Sequence, residues 1–233
     1  MIVKGIASGS KGNAYYISDG ETRILIECGV AMKKLTSSPE FDFNSLHGIL
    51  VSHRHGDHCK SLKHCKNAGA SLYAPAEVFA FKGVDGDNCH PVKAFEGFAL
   101  GSFFILPFDL NHDCVNYGYL LCSKATGERL LYFTDTYMVK YKFDHLTHIM
   151  AECNYSMKTL CENVRIGLVP AWLKDRIKVS HMSLEQLLKF MDENDLSEVR
   201  SIYLIHMSEN NGSPAIFRHR IRKATGKHVE IIK

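Results

Sequence analysis

The sequence contains no long apolar run and carries little net charge. No window approaches the roughly eighteen uninterrupted apolar residues of a membrane-spanning helix, and the N-terminal segment MIVKGIASGS lacks the apolar core of a secretion signal. The formal charge of +3 is too small to indicate a polyanionic partner by itself. These absences predict a cytoplasmic protein without a membrane partner, and they leave the oligomeric state open.

Paired cysteines and the motifs of side-chain nucleophiles are also absent. None of the eight cysteines forms a C-x-x-C pair, and several lie inside apolar segments such as LIECG and YLLCS. In a chain without an export signal, they are expected to be reduced and mostly buried. Because no G-x-S-x-G or P-loop pattern occurs, no side-chain nucleophile is predicted.

The composition is that of a globular protein, and its predicted strands come in two batches. At 233 residues, 45% hydrophobic and 23% charged, the chain is expected to form one domain over residues 1–233. Short extended segments fill the first third and recur between residues 103 and 153, and SIYLIHM forms a later strand. Helices follow each batch, including two with the predicted N-caps Ser183 and Ser213. This order predicts two sheets packed face to face with helices outside.

Three histidines and one aspartate are crowded directly after the apolar residues 49–51. In H-x-H, alternate residues of an extended loop point the same way, so His53 and His55 can bind one ion. Asp57 and His58 follow at a predicted loop-to-helix junction and can bind a second ion. A polar loop would explain one histidine, but four ligand-type residues at this spacing predict a metal site.

Further ligand-type residues follow three other apolar runs. His112 comes after FFILPFDLN, Asp135 after LLYFT and His206 after SIYLI. A strand end holds its backbone rigidly while the side chain extends past the sheet, which suits the strict geometry of metal sites. For each of these residues taken alone, the alternative is an ordinary polar residue at the end of a strand.

The motif H-x-H-x-D-H at residues 53–58 resembles the signature of the metallo-β-lactamase superfamily. The later segments HDCVNYGY, YFTDT, AECNY, SHMS and LIHMSENN resemble, in this order, its YycJ/WalJ-type branch, which is related to nucleases of tRNase Z type. The resemblance spans about residues 1–212. It implies an α/β protein with the four-layer αββα sandwich fold and a site at one edge between the sheets.

The resemblance also implies a centre with two divalent metal ions. Zinc is the first expectation because imidazole ligands dominate, although manganese and iron also accept such nitrogen and oxygen ligands. The implied ligands are His53, His55 and His112 for the first ion, Asp57, His58 and His206 for the second, and Asp135 as the bridge between them.

A carboxylate bridge such as Asp135 fits the phosphodiesterase, nuclease and thioesterase relatives and disfavours a lactamase. Two ions about 3.5–4 Å apart can bind a bridging hydroxide as the nucleophile. His181, in the segment SHMS, resembles a histidine that protonates the leaving oxygen or holds the scissile phosphate in nuclease relatives. A loop-positioning role is the alternative for His181. Asp57 and His181 are the candidate catalytic residues.

Several further residues are candidates for supporting roles. Asn210 and Asn211 are predicted either to bind a phosphate or to form the turn before Gly212. Lys60, Lys63 and the basic region 218–227 are candidates for steering a phosphate backbone. Three polar residues near strand ends are expected to orient the ligands through hydrogen bonds, namely Glu27, Glu152 and Asn154.

These interpretations predict a dinuclear metal-dependent phosphodiesterase, with a nuclease acting on DNA or RNA as the leading hypothesis. Three alternatives stay open: a thioesterase or small-ester hydrolase of glyoxalase II type, a non-catalytic regulatory protein stabilised by metal, and a redox di-iron protein. The sequence does not distinguish DNA from RNA or endonucleolytic from exonucleolytic cleavage.

Overall fold

The computed structural model describes residues 1–233, which divide into two compact units. The first unit comprises residues 1–109, 114–128 and 233, and the second comprises residues 110–113 and 129–232. The strands form two sheets, of six and of seven strands. The single domain expected from the sequence stays a prediction. None of the helices combines the length and the apolar character needed to cross a bilayer.

The six-stranded sheet lies within the first unit and has the strand order β1-β2-β3-β4-β5-β6. Strands β1 to β3 are antiparallel and joined by short connections, whereas β3 to β6 are parallel. Parallel neighbours need crossover connections, and these connections carry the helices. The strands are β1 (Ile2–Ala7), β2 (Ala14–Ser18), β3 (Arg23–Ile26), β4 (Gly48–Leu50), β5 (Leu72–Pro75) and β6 (Cys89–Val92).

The helices of the first unit cover one face of this sheet through a continuous apolar core. Leu25, Ile49 and Leu72 from the strands join Leu62 and Val78 from the helices, and all five are fully buried. This core fixes the end of β4, where the histidine-rich loop begins. The remaining elements of the unit are α1 (Met32–Thr36), α2 (Gly56–Cys59), α3 (Leu62–Asn67), α4 (Ala76–Lys82), β7 (Phe98–Leu100), β8 (Phe103–Leu110, whose last residue belongs to the second unit) and β9 (Asn116–Ser123).

Four parallel strands of the seven-stranded sheet lie in the second unit, in the order β10-β11-β12-β13. Strand β11 is buried along its whole length, as the apolar sequence of a central parallel strand predicts. The register aligns Phe133 of β10 with Ala151 of β11, and Ala151 with Leu204 of β12. The carboxyl ends of three adjacent strands therefore lie in one row. The elements are β10 (Arg129–Phe133), β11 (His148–Glu152), α5 (Met157–Arg165), α6 (Ala171–Ser180), α7 (Leu184–Glu193), β12 (Ser201–Ile205), α8 (Pro214–Thr225) and β13 (His228–Ile231).

The helix starts expected near the C-terminus differ in how they are capped. Ser183 caps α7, because its side chain accepts a hydrogen bond of 3.1 Å from the backbone nitrogen of Gln186. Ser213 and Pro214 take the predicted N-cap and first positions of α8, but the Ser213 side chain makes no cap hydrogen bond. Helix α6 has no buried residue and therefore lacks the apolar periodicity that would have predicted it.

Candidate metal centre

Residues 53–58 bring four ligand-type side chains together within the first unit, and we call them the histidine cluster: His53, His55, Asp57 and His58. The chain leaves β4 at Leu50, runs extended, and turns into the short helix α2 at Gly56. His53 Nε2 lies 3.1 Å from His55 Nδ1. Asp57 Oδ2 lies 3.3 Å from His58 Nε2. One loop thus presents two adjacent pairs of donor atoms.

Hydrogen bonds behind the histidine cluster orient two of its rings. The Ser52 hydroxyl lies 2.8 Å from His53 Nδ1. Glu27 is fully buried, accepts the Ser52 N–H at 3.3 Å to each carboxylate oxygen, and places Oε1 3.4 Å from His58 Nδ1. Metal-binding histidines commonly use their second ring nitrogen for such a carboxylate contact. These contacts support the orienting role predicted for Glu27.

The backbone of the histidine cluster is held by two residues that the sequence did not indicate. The backbone and side-chain nitrogens of Asn13 donate to the Asp57 carbonyl at 2.8 and 3.1 Å. A Cβ atom at Gly29 would lie 1.6 Å from the same carbonyl oxygen, so only glycine fits there. Neither residue is among the predicted site residues, because a buried loop amide and a close backbone approach leave no periodic pattern.

A second group of ligand-type side chains lies within the second unit, and we call it the strand-end cluster: Asp135, Glu152, His181 and His206. Asp135 follows β10, Glu152 ends β11 and His206 follows β12, while His181 follows the last residue of α6. One ligand atom from each of the four residues lies within 4.8 Å of the others. The parallel register of the three strands accounts for this convergence.

Glu152 organises the strand-end cluster. Its Oε1 lies 2.7 Å from His181 Nδ1 and 2.9 Å from His206 Nδ1. Its Oε2 accepts the backbone N–H groups of Thr136 at 3.3 Å and Met182 at 3.1 Å. The carboxylate is fully buried, so these bonds compensate the loss of its hydration. With Nδ1 facing Glu152 in both histidines, Nε2 is the nitrogen that each would offer to a ligand or a substrate.

The buried charges of the strand-end cluster stabilise one another. Burial lowers the pKa of His181, but the carboxylates of Glu152 and Asp135 outweigh it and raise the pKa to about 10. Burial raises the pKa of Glu152, yet His181 and His206 together hold it below its usual value. His181 Nδ1 also lies 3.0 Å from Asp135 Oδ1. At neutral pH the cluster therefore contains an imidazolium held between two carboxylates.

Left-handed backbone conformations aim two side chains of the strand-end cluster. Asp135 has φ 50° and His206 has φ 49°, values that non-glycine residues seldom adopt. The side-chain nitrogen of Asn154 donates to the His206 carbonyl at 2.9 Å and so holds this turn. Strained backbone of this kind is concentrated at functional sites, where the surrounding structure maintains it.

The donor atoms of both clusters fit a divalent metal ion. Two ligands at about 2.0–2.1 Å from a tetrahedral ion lie about 3.3 Å apart. The His53–His55 and Asp57–His58 pairs, at 3.1 and 3.3 Å, match this spacing. The strand-end cluster adds nitrogen and oxygen donors of the type that zinc, manganese and iron accept.

The protein-family model for the beta-lactamase superfamily domain matches residues 22–207 of this chain. The chain belongs to the β-lactamase superfamily. The matched region contains the histidine cluster and all four residues of the strand-end cluster.

A curated relative within the superfamily is the exodeoxyribonuclease YycJ of Bacillus anthracis. The two are 26% identical over an alignment of 232 positions, which covers 91% of this chain and 84% of that protein. This relationship confirms the resemblance to the YycJ/WalJ-type branch.

Solved structures of the superfamily confirm the predicted α/β, αββα metallo-β-lactamase fold. The metallo-β-lactamase fold protein YhfI of Bacillus subtilis is similar with a TM-score of 0.72 and 16% identity, covering 99% of this chain and 96% of that chain. The short form of human tRNase Z is similar with a TM-score of 0.66 and 14% identity, covering 100% and 96%. Both similarities are evidence of a shared fold only.

Three further predicted site residues are not members of the two clusters as defined above, namely His112, Asn210 and Asn211. His112 Nε2 is 3.3 Å from Asp113 Oδ1, and the His112 ring centroid is 6.5 Å from that of His181. The Asn211 side-chain oxygen accepts a hydrogen bond of 2.8 Å from Asn163, and Asn211 is buried. This geometry favours the turn-forming alternative for Asn211. Asn210 is exposed, and its phosphate contact stays a prediction.

Proposed function

We propose that this protein is a dinuclear metal-dependent phosphodiesterase, and specifically a nuclease that hydrolyses DNA or RNA. The name of its relative YycJ, an exodeoxyribonuclease, supports this proposal. The observation that carries it is the contact of 2.7 Å between His181 Nδ1 and Glu152 Oε1. This contact orients a protonated imidazole, which an alkoxide leaving group needs and a thiolate leaving group does not.

The proposed ligand assignment follows the family motif. His53, His55 and His112 would hold one ion, Asp57, His58 and His206 the other, and Asp135 would be shared. Zinc is the proposed metal because imidazole donors predominate. When bound, such ions activate a water molecule and neutralise charge on the phosphoryl group.

The side chains around this centre would bind, orient and donate a proton. His181 would donate the proton on Nε2 to the leaving oxygen as the phosphorus–oxygen bond breaks. Glu152 would keep that ring protonated and aligned through Nδ1, and Glu27 would align His58 in the same manner. Glu152 and Glu27 are therefore positioning residues, whereas His181 and Asp57 are the proposed catalytic residues.

The test combines metal analysis of the purified protein with a substrate panel. Linear DNA, RNA, a nitrophenyl phosphodiester and an acyl thioester are incubated with the protein before and after chelation. We expect a divalent metal to copurify, phosphodiester cleavage to stop on chelation, and activity to return when the metal is restored. Thioester hydrolysis without phosphodiester cleavage would favour the glyoxalase II type, and bound metal without any hydrolysis would favour the regulatory alternative.

A further inference from the structure

The segment from Arg165 to Ser180 exposes apolar side chains that the fold does not use. Trp172 is 68% exposed and is the only tryptophan of the chain. Ile166, Leu168 and Val179 are also more than half exposed, at 59%, 56% and 63%. Single exposed hydrophobic residues are ordinary, but four within fifteen residues mark an interaction surface.

The exposed residues of α6 lie on one side of the helix. Trp172, Arg176 and Val179 are spaced i, i+4 and i+7, so they share one face, and all three are exposed. Leu173 and Ile177 lie on another face and pack against a small buried cluster of Tyr155, Leu160 and Val169. Helix α6 therefore attaches through one narrow face and leaves its outer face exposed.

The charge of α6 indicates which partner fits. The helix carries the cations Lys174, Arg176 and Lys178 and the single acid Asp175. A second copy of the chain would place cations against cations, whereas a polyanion would meet complementary charge. An exposed indole with a cation on the same helix face is a combination that binds single-stranded nucleic acid, because a base stacks on the ring while a phosphate contacts the cation, here Arg176.

The same helix leads directly to the strand-end cluster. Helix α6 ends at Ser180, and the next residue, His181, donates its backbone N–H to the Ile177 carbonyl at 3.0 Å. Trp172 lies nine residues before His181, a distance of about 13 Å along a helix axis. Trp172 therefore lies about two and a half turns before the proposed proton donor on the same element.

We propose that the outer face of α6 is a binding surface for single-stranded nucleic acid. A base stacks on Trp172, and Arg176, one turn further along the same face, contacts the adjoining phosphate, whereas Lys174 and Lys178 lie on other sides of the helix. A duplex keeps its bases stacked on one another, so the surface selects an unpaired strand. The inference deepens the proposed function and rests on it.

The single tryptophan makes the surface directly observable. The full-length protein is titrated with phosphorothioate-linked oligothymidylate, whose linkages resist hydrolysis, while tryptophan emission is recorded. We expect saturable quenching by this strand and by a matched oligouridylate, and weak quenching by a blunt duplex or by an abasic strand. Quenching by neither strand, or equal quenching by the duplex or the abasic strand, overturns the proposal.

Variants separate stacking from folding. We expect Trp172→Ala to weaken binding of a labelled strand about tenfold, within the range for one base–aromatic stack, and Trp172→Phe to restore most of the affinity. Ile216→Ala removes a side chain on α8 that is 55% exposed, and it should leave binding unchanged. Wild-type affinity in Trp172→Ala overturns the stack. A concentration-dependent emission shift without any response to strand would identify a self-interface and overturn the proposal as well.

The contribution of Arg176 can be measured separately through the salt dependence of strand binding. Replacing Arg176 by Gln should lower the slope of log affinity against log salt by about 0.7, the value for one phosphate contact on a single strand. Lys189→Gln on α7 is the matched control, because Lys189 already lies 3.7 Å from Glu193. An unchanged slope in Arg176→Gln contradicts the phosphate contact.

A parallel cleavage assay on ordinary phosphodiester strands keeps the two proposals distinct. Cleavage without tryptophan quenching overturns the α6 surface and leaves the nuclease assignment intact. Quenching without cleavage overturns the nuclease assignment and leaves α6 as a strand-binding surface.

Discussion

The histidine cluster and the strand-end cluster offer similar ligand chemistry but are built in opposite ways. The first comes from six consecutive residues and is supported by contacts to Ser52, Glu27 and Asn13. The second comes from four segments between residues 135 and 206 and depends on the register of three parallel strands. A loop can encode a site in a short motif, whereas a sheet edge encodes it only through the whole fold.

The largest expected effect is the loss of Asp57, a proposed metal ligand of the histidine cluster. Asp57→Ala should abolish phosphodiester cleavage and lower the metal content while leaving the fold intact, because Asp57 is partly exposed and follows the first residue of α2. Metal analysis, cleavage assays and circular dichroism check this result. Asp192→Ala, which removes an exposed carboxylate from α7, is the control. Full activity in Asp57→Ala would exclude the assigned role.

The next effect concerns His181, the proposed proton donor of the strand-end cluster. His181→Ala should slow cleavage of strands with alkoxide leaving groups by about 10²–10⁴-fold, the range for a general acid. Activated nitrophenyl phosphodiesters need little protonation and should lose far less. Equal losses on both substrates would remove the proton-donor role and leave His181 as a residue that positions the loop.

The two glutamates that support the clusters, Glu27 and Glu152, allow a direct comparison. Glu152→Gln keeps the shape but weakens the contacts to His181 and His206, so metal affinity or activity should fall about 10–100-fold. Glu27→Gln affects one histidine, His58, and should cost less. Isothermal titration with zinc measures both. A larger loss for Glu27→Gln would show that the histidine cluster depends more on its supporting carboxylate than the strand-end cluster does.

A backbone substitution tests how rigid the histidine cluster is. Gly29→Ala would place a methyl group against the Asp57 carbonyl, so it should lower the free energy of unfolding by about 1–3 kcal/mol and displace Asp57 and His58. Gly56→Ala lies within residues 53–58 and serves as the control, because no atom lies within 4 Å of the added carbon. Urea denaturation and metal content distinguish the two variants. Equal stability would show that the loop adjusts freely.

The smallest expected effect concerns an exposed histidine–glutamate pair, which serves as a reference for the buried imidazole–carboxylate contacts. His145 Nδ1 lies 2.6 Å from Glu198 Oε1, and this hydrogen bond raises the pKa of His145. The stabilisation is complete below the unfolded histidine pKa of about 6.5 and disappears as the pH rises through the higher folded value. Wild type should therefore exceed His145→Gln in urea midpoint by a small margin at about pH 5.5 and by nothing at about pH 9. A margin that grows with pH would contradict the contact.

The difference between a contiguous motif and a site assembled through strand register also explains which features could be predicted from the sequence. His53, His55, Asp57 and His58 form a contiguous pattern, and the strands that precede the other ligands are apolar runs, so both were recognisable. The contact of one Glu152 oxygen with two histidines was not, because it depends on strand register and on the turn at His206. Helix α6 escaped recognition because a helix attached through a narrow face has no apolar periodicity.

The row formed by the ends of β10, β11 and β12 has a consequence for insertions and deletions. Successive side chains of a strand point to opposite faces, so removing one residue between His148 and Glu152 would either turn the carboxylate away from both histidines or shift the strand against its neighbours. Point replacements in these strands can be repacked, but a change in their length cannot. Evolutionary variation in length should accordingly be confined to the connections, and the three strands should keep a constant residue count among active relatives.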